Sequence, residues 1–203
     1  MSTAPRIAPG TRSEIGRLNY AIARTAGLAA GGGPPNVMTT LARHRGIFRK
    51  WLRFAGALMP GGRLPRDETE LLILRVAHNA SSEYEWHHHE QIGRLAGLTA
   101  DEVERVRQGA DAAGWSPRRA LLLRAADELH ADRRISDHVW AGLRPLLTDE
   151  QLIELCLLVG HYEMLAMTLN SLEVEPDEVP LGQPTRAMRL LQSIVNRRQA
   201  SNA

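Results

Sequence analysis

Glycines and prolines cut this sequence into segments in which apolar residues recur every three or four positions, while strict alternation over four or more residues is almost absent. A chain patterned in this way buries one stripe of each helix against its neighbours, and the expected class is all-α. Residues 11–27 carry Ile15, Leu18, Ala21, Ile22 and Ala26 on one stripe and run into 29–35, too rich in Gly and Pro to stay helical. Residues 1–35 therefore read as a helical arm with a linker. A helical body follows over 36–175. Asn36 is the expected cap for 37–45, Gly46 interrupts, and 47–59 turns Phe48, Trp51, Leu52, Ala55 and Leu58 inward.

Pro65 stands at a first helical position with Asp67, Glu68 and Glu70 in the early turns, where acids favour a helix start. Leu71, Leu72, Leu74 and Val76 mark this helix as buried nearly all round, the centre of the body. Ser82-x-x-Glu85, Thr99, Ser116-Pro117 and Thr148-x-x-Gln151 open further helices that end near Gly97, Gln108, Ala131 and Leu172, with a shorter piece over 136–146. The tail, 176–203, is looser apart from an amphipathic helix expected at 185–198.

The composition narrows the function classes. The 203 residues, 43% hydrophobic and 24% charged, suit one soluble globular domain with extensions. Lys and Arg total 25 against 23 Asp and Glu, and Lys50 is the single lysine, so the +2 net charge makes no basic field for nucleic acid. The start has no basic segment leading into an apolar one, and no run approaches about eighteen uninterrupted apolar residues. The longest apolar piece, 152–160, is broken by Glu154. The expectation is a cytoplasmic chain without membrane insertion. Its one cysteine, Cys156, allows no disulfide within the chain and no mechanism that cycles two thiols of one subunit.

Polar groups concentrate where the central helix meets the next: Glu70, His78, Ser82, Glu83, Tyr84, Glu85, His87, His88, His89 and Glu90. On a helix begun at Ser82, residues Glu85, His88 and His89 share a face, and Glu85 can touch His89. A carboxyl beside an imidazole is a proton-transfer pair, and Glu70 could orient the second ring nitrogen of His89. Two other readings fit the same letters. Glu85 can return to the backbone of Ser82 as half of a capping box. Alternatively, Glu85, His88 and His89 can ligate a metal, since Glu85-x-x-His88 has the spacing used in di-iron bundles, with Asp127-x-x-His130, Glu70 or Glu154 as further ligands.

The stretch RDETELLILRVAHNASSEYEWHHHEQIGRLAGLTADEV, residues 66–103, resembles the core of the carboxymuconolactone decarboxylase superfamily, which includes the alkyl hydroperoxidase D (AhpD) proteins. The resemblance is specific over about 64–106 and implies an AhpD-like helical bundle. The hydroperoxidase branch carries Glu, then Cys-x-x-Cys, then His. Here that pattern falls on Glu70, Ser82, Glu85 and His89, so both cysteines are replaced. Neither Ser nor Glu can form a sulfenic acid, and thiol peroxidase activity is not expected.

What the resemblance implies instead is lyase-type acid/base chemistry, without a cofactor, on a small organic acid, lactone or carbonyl compound. Glu70, Glu85 and His89 are then the catalytic residues, and Arg75, Arg94, His161 and Tyr162 the substrate-binding ones, with Arg124 a further candidate cation. It also implies a homo-oligomer, trimeric or hexameric. The competing expectations are a metal-dependent oxidase or oxygenase and a non-catalytic scaffold that has lost its thiols.

Overall fold

A computed structural model describes residues 4–177, and the expected tail helix at 185–198 lies outside them. The described residues form ten helices and no strand: α1 (Arg12–Ile15), α2 (Arg17–Ala30), α3 (Asn36–Leu41), α4 (Arg45–Leu58), α5 (Arg66–Asn79), α6 (Glu83–Ala96), α7 (Ala100–Gln108), α8 (Pro117–Asp132), α9 (Asp137–Leu143) and α10 (Asp149–Leu172). The fold is all-α. It divides into two compact units, one drawn from the residues up to Ala57 and from Leu169 onward, the other spanning Leu58–Thr168.

In the first unit, the expected arm is part of a core. Ile15 and Ala23 of α1 and α2 cluster with Met38 of α3, Ala42 just after it and Phe48 of α4. Burying these apolar groups together outweighs the Gly- and Pro-rich linker, so the compact units part at 57/58 rather than 35/36. Arg43 reinforces the cluster by a two-armed pair with Glu14, at 3.0 and 3.2 Å. The break between α3 and α4 falls at 42–44, not at Gly46, which sits inside the first turn of α4.

In the second unit α5 is central and packs on α6, α7 and α8. Residues Glu68–Leu74, Val76 and Ala77 are all buried, as the unbroken apolar run required. Leu71 and Leu74 join Leu98, Val103, Val106, Ala110 and Leu123 in the core cluster. Pro65 is the N-cap rather than the first helical residue. The start of α5 is tied to α8 by Arg118, which grips Glu68 at 2.6 and 2.8 Å, and by Arg119, 2.5 Å from Asp67.

Helix α10 runs 24 residues and meets the length and composition needed to cross a bilayer, yet most of its apolar window is buried in the fold. Leu155, Leu158, Val159, Tyr162, Leu165 and Ala166 form its inner face. Glu154, the acid within the apolar stretch 152–160, is buried and accepts the backbone N–H groups of Arg63 and Leu64, which ties α10 to the turn before α5.

Candidate functional site

The site lies in the second unit, where α5, α6 and α10 meet. Glu70, in the second turn of α5, is fully buried. Its carboxylate is shared: Arg66, one turn earlier, places Nη2 2.5 Å from Oε1, and His89 places Nδ1 2.6 Å from Oε2. A carboxylate held by a guanidinium accepts hydrogen bonds, so Nδ1 of His89 donates and Nε2 is left for proton exchange. Glu70 and His89, expected to meet, are thus in contact.

Glu85 and His89 lie one turn apart on α6, and both are buried. The start of this helix decides what Glu85 does. Ser82 is the N-cap in extended conformation and Glu85 is the third helical residue, the positions of a capping box, but the Ser82 side chain makes no capping bond. Both Glu85 oxygens are buried without a hydrogen-bond partner. Burial pushes its pKa up to about 8, with the charge of Glu163 adding to the rise. The Ser82 hydroxyl tempers that rise by its proximity, without the geometry of a hydrogen bond. At neutral pH Glu85 is therefore predominantly a carboxylic acid with a proton to give.

Tyr162 enters from α10. Its ring stands edge-on to His89, centroids 5.2 Å apart at 88°. Full burial, and then the nearby charges of Glu70 and Glu85, hold its phenol well above the ordinary value, so it stays protonated, and its hydroxyl donates to Met59 Sδ at 3.5 Å. His161 packs against Tyr162 at 5.2 Å, and burial lowers its pKa, which favours neutral imidazole.

Other expected residues go elsewhere. Arg75 lies about 140° around α5 from Glu70 at 100° per residue. Its guanidinium is committed to Asp127, at 2.5 and 3.1 Å, and to the Val106 carbonyl at 2.8 Å, tying α5 to α8 and the end of α7. Arg94 is exposed in the last turn of α6, about half a helical turn round from Glu85. Arg124 pairs with the exposed Asp111. The arginine beside the site is Arg66, missed although its i,i+4 spacing to Glu70 was readable.

His88 stacks on Tyr84, ring centroids 4.4 Å apart. Among the described residues no group of three His, Cys, Asp or Glu side chains converges to hold a metal, so Glu85, His88 and His89 do not form the ligand set the spacing allowed. Also unforeseen is a second Glu–His pair, Glu163 Oε1 to His130 Nδ1 at 2.7 Å. An acid inside the apolar run of α10 was the signal for it, since buried acids need partners.

Residues 45–128 match the model of the Carboxymuconolactone decarboxylase family. No curated protein matches the chain. Among solved structures, one is an uncharacterized peroxidase-related protein with an alkylhydroperoxidase AhpD core from Ralstonia eutropha JMP134. It aligns with a TM-score of 0.74 at 21% identity, over 85% of this chain and 93% of that one. The apo debrominase Bmp8 aligns with a TM-score of 0.73 at 13% identity, over 96% and 100%. An uncharacterized peroxidase-related protein from Silicibacter sp. TM1040 gives 0.72 at 18% identity, over 83% and 88%. Likeness at such low identity is a likeness of fold. The family match over residues 45–128 and the AhpD-like all-α architecture agree with the resemblance to the carboxymuconolactone decarboxylase/AhpD-like superfamily.

Proposed function

We propose that this chain is an acid/base enzyme that moves protons on a small organic acid, lactone or carbonyl compound, with Glu85 as donor and the Glu70–His89 pair as its partner. The observation that carries this reading is Glu85 itself: buried, unused by its helix and held protonated near neutral pH. In a decarboxylation the carbon–carboxylate bond breaks, carbon dioxide leaves, and the electron pair resides on a carbonyl-conjugated carbon as an enolate. Glu85 then gives its proton to that carbon, and the Tyr162 hydroxyl, exchanging the weak Met59 Sδ acceptor for the enolate oxygen, can donate a hydrogen bond to it. His89, oriented by Glu70, exchanges a proton through Nε2 and restores the acid form for the next turnover.

A thiol peroxidase cycle has no support in these residues. By the resemblance to the hydroperoxidase pattern, Ser82 and Glu85 stand where the paired cysteines would fall, and Cys156 lies on α10 with its thiol pKa raised by burial, which disfavours the reactive thiolate. The proposed chemistry calls on no cofactor.

The test is a panel of β-keto acids and carboxy-lactones incubated in deuterium oxide, with carbon–deuterium bond formation and carbon dioxide release followed by NMR. Wild-type protein should turn over at least one class, and Glu85→Gln and His89→Gln should each slow it about 100-fold or more. Turnover that survives Glu85→Gln overturns the assignment. A requirement for stoichiometric iron, manganese or zinc would favour the metal reading, and no turnover across the panel would favour the scaffold reading.

A further inference from the structure

The proposed reaction has a proton balance that its own residues do not close. In a decarboxylation the carboxylate leaves as carbon dioxide and the carbon left behind gains a proton, so every turnover draws one proton from solution. Glu70, Glu85, His89 and Tyr162 are all buried, and exchange through His89 moves a proton among them without importing one. A supply needs a titratable side chain that meets water and a buried partner that brings the proton to Glu85. The Glu163–His130 pair has that form, and no step of the chemistry above uses it. We propose that His130 and Glu163 are the proton inlet of the site, passing protons from water to Glu85. The inference rests on the acid/base reading and adds two relay residues to it.

Geometry supports each link. His130 stands in the last turn of α8 with its side chain 34% exposed, so the ring meets water. Its Nδ1 lies 2.7 Å from Oε1 of Glu163, which is buried in α10. Glu163 directly follows Tyr162, whose ring stands edge-on to His89, and its carboxyl is near enough to Glu85 for its charge to add to the rise that burial causes there. Other charged groups beside the imidazole are engaged elsewhere. Asp127, one turn earlier on α8, is held by Arg75 and Asn79, Glu128 accepts the Ser136 N–H and hydroxyl, and Arg133 donates to the backbone carbonyl of His130 rather than to its ring.

The transfer balances. Nε2 of His130 takes a proton from water or buffer, and the imidazolium gives its Nδ1 proton to Glu163 Oε1, leaving a neutral ring in the other tautomer. Glu163, now a carboxylic acid, gives its proton to the Glu85 carboxylate left after protonation of the product carbon. Glu163 is again an anion, and exchange with water returns the ring to its first tautomer. Burial makes the Glu85 carboxylate a ready acceptor, and two oxygens let Glu163 serve a partner on either side. A pair that only tied α10 to α8 would need a hydrogen bond and no mobile proton, so an amide in either position would serve equally well. That difference can be measured.

Two variants keep the bond and remove the relay: His130→Asn, whose amide still donates to Glu163, and Glu163→Gln, whose amide oxygen still accepts. Without any substrate, carbon-13 line shapes of the Glu85 carboxyl in the full chain near pH 8 read proton exchange with water. His130→Asn should slow that exchange about tenfold, and added imidazole should restore it while leaving wild type unchanged. Glu163→Gln should lower the Glu85 titration midpoint by removing a neighbouring charge. On a β-keto acid or carboxy-lactone turned over by wild type, His130→Asn should lower kcat about tenfold, recoverable with imidazole, and keep kcat/KM within about twofold. The loaded acid serves the first turnover, and only reloading is slowed. Unchanged exchange in both variants overturns the proposal, as does a Glu85 midpoint indifferent to Glu163→Gln. So does a parallel loss of kcat and kcat/KM without imidazole rescue, which would make the pair a tether of α10. If no compound is turned over but exchange at Glu85 still slows and recovers as expected, the acid/base reading fails and the inlet stands.

Discussion

Two helices of the second unit open on the same four-residue grammar, Ser82-x-x-Glu85 at α6 and Thr99-x-x-Glu102 at α7. At α7 the Thr99 hydroxyl accepts the Glu102 N–H at 3.1 Å, and Glu102 accepts the Thr99 N–H at 2.8 Å, a complete capping box. Burial pulls the Glu102 carboxyl upward, but the bonds from Thr99 and the guanidinium of Arg119 outweigh it and hold the pKa low. At α6 neither reciprocal bond forms, and the pKa of Glu85 goes the other way. Both acids sit in a first helical turn, where the helix dipole favours a negative charge, so the dipole does not separate them. Surroundings do: Ser82 is buried and Thr99 exposed, so the core closes over one helix start and water reaches the other. A capping acid gains nothing from its proton, whereas a buried, unbonded acid keeps it.

The sharpest way to break this comparison is to neutralise each acid in turn. Glu85→Gln should cut turnover in the proposed reaction by about 10² to 10⁴, the usual contribution of a positioned general acid. Glu102→Gln should leave kcat/KM within about twofold while costing stability on the order of a lost cap. Steady-state kinetics on the same substrate decides between them. Equal losses would mean that Glu102 reaches the chemistry or that Glu85 acts only through folding.

Stability against pH separates the two acids next. The pKa of Glu85 is raised on folding from 4.5 to about 8. Between those values the folded state binds a proton that the unfolded state has lost, so its contribution is full below about pH 4.5 and falls away as pH rises through 8. Unfolding free energy should decline by about 1 kcal/mol per pH unit across that window, and Glu85→Gln should flatten the decline. Glu102, with its pKa lowered, contributes above its unfolded value and loses that contribution as pH falls, so its variant should alter only the acid limb. Urea titrations from about pH 3 to about pH 8 read both slopes, and a Glu85→Gln profile parallel to wild type would remove the case for a protonated acid.

How much of this was legible follows from the same pair. Helical period and punctuation are local, so the all-α class, the central burial of α5 and most helix starts could be read directly. The Glu70, Glu85 and His89 set was readable because α5 and α6 are consecutive and i,i+4 spacing puts Glu85 and His89 on one face. The inward turn of Glu85 was not, since Ser82-x-x-Glu85 satisfies the capping pattern as well as Thr99-x-x-Glu102 does. Nor were the duties of the arginines. Arg75 and Arg94 look equivalent in sequence to Arg66, and only the arrival of Asp127 from α8 and the i,i+4 reach to Glu70 assign one to the scaffold and another to the site. The pairing of Glu163 with His130, 33 residues away on another helix, depends on tertiary structure and has no local trace beyond an acid in an apolar run.

The smallest expected effects test the helix starts themselves. Thr99→Ala removes an acceptor for the Glu102 N–H, and losing a working cap costs about 1 kcal/mol. Ser82→Ala should change stability by less than about 0.5 kcal/mol in either direction, because the Ser82 hydroxyl is buried without a hydrogen bond, and replacing an unsatisfied polar group by a methyl of similar size leaves no partner stranded. The same substitution should nonetheless move one observable. The hydroxyl lowers the Glu85 pKa, so removing it should push the acid's titration midpoint upward, read by carbon-13 NMR of the side-chain carboxyl. A Ser82→Ala cost matching that of Thr99→Ala, with the Glu85 midpoint unmoved or lowered, would make Ser82 an ordinary cap and Glu85 its partner. The contrast between the two helix starts would then disappear, and with it the reason for Glu85 to hold a proton at neutral pH.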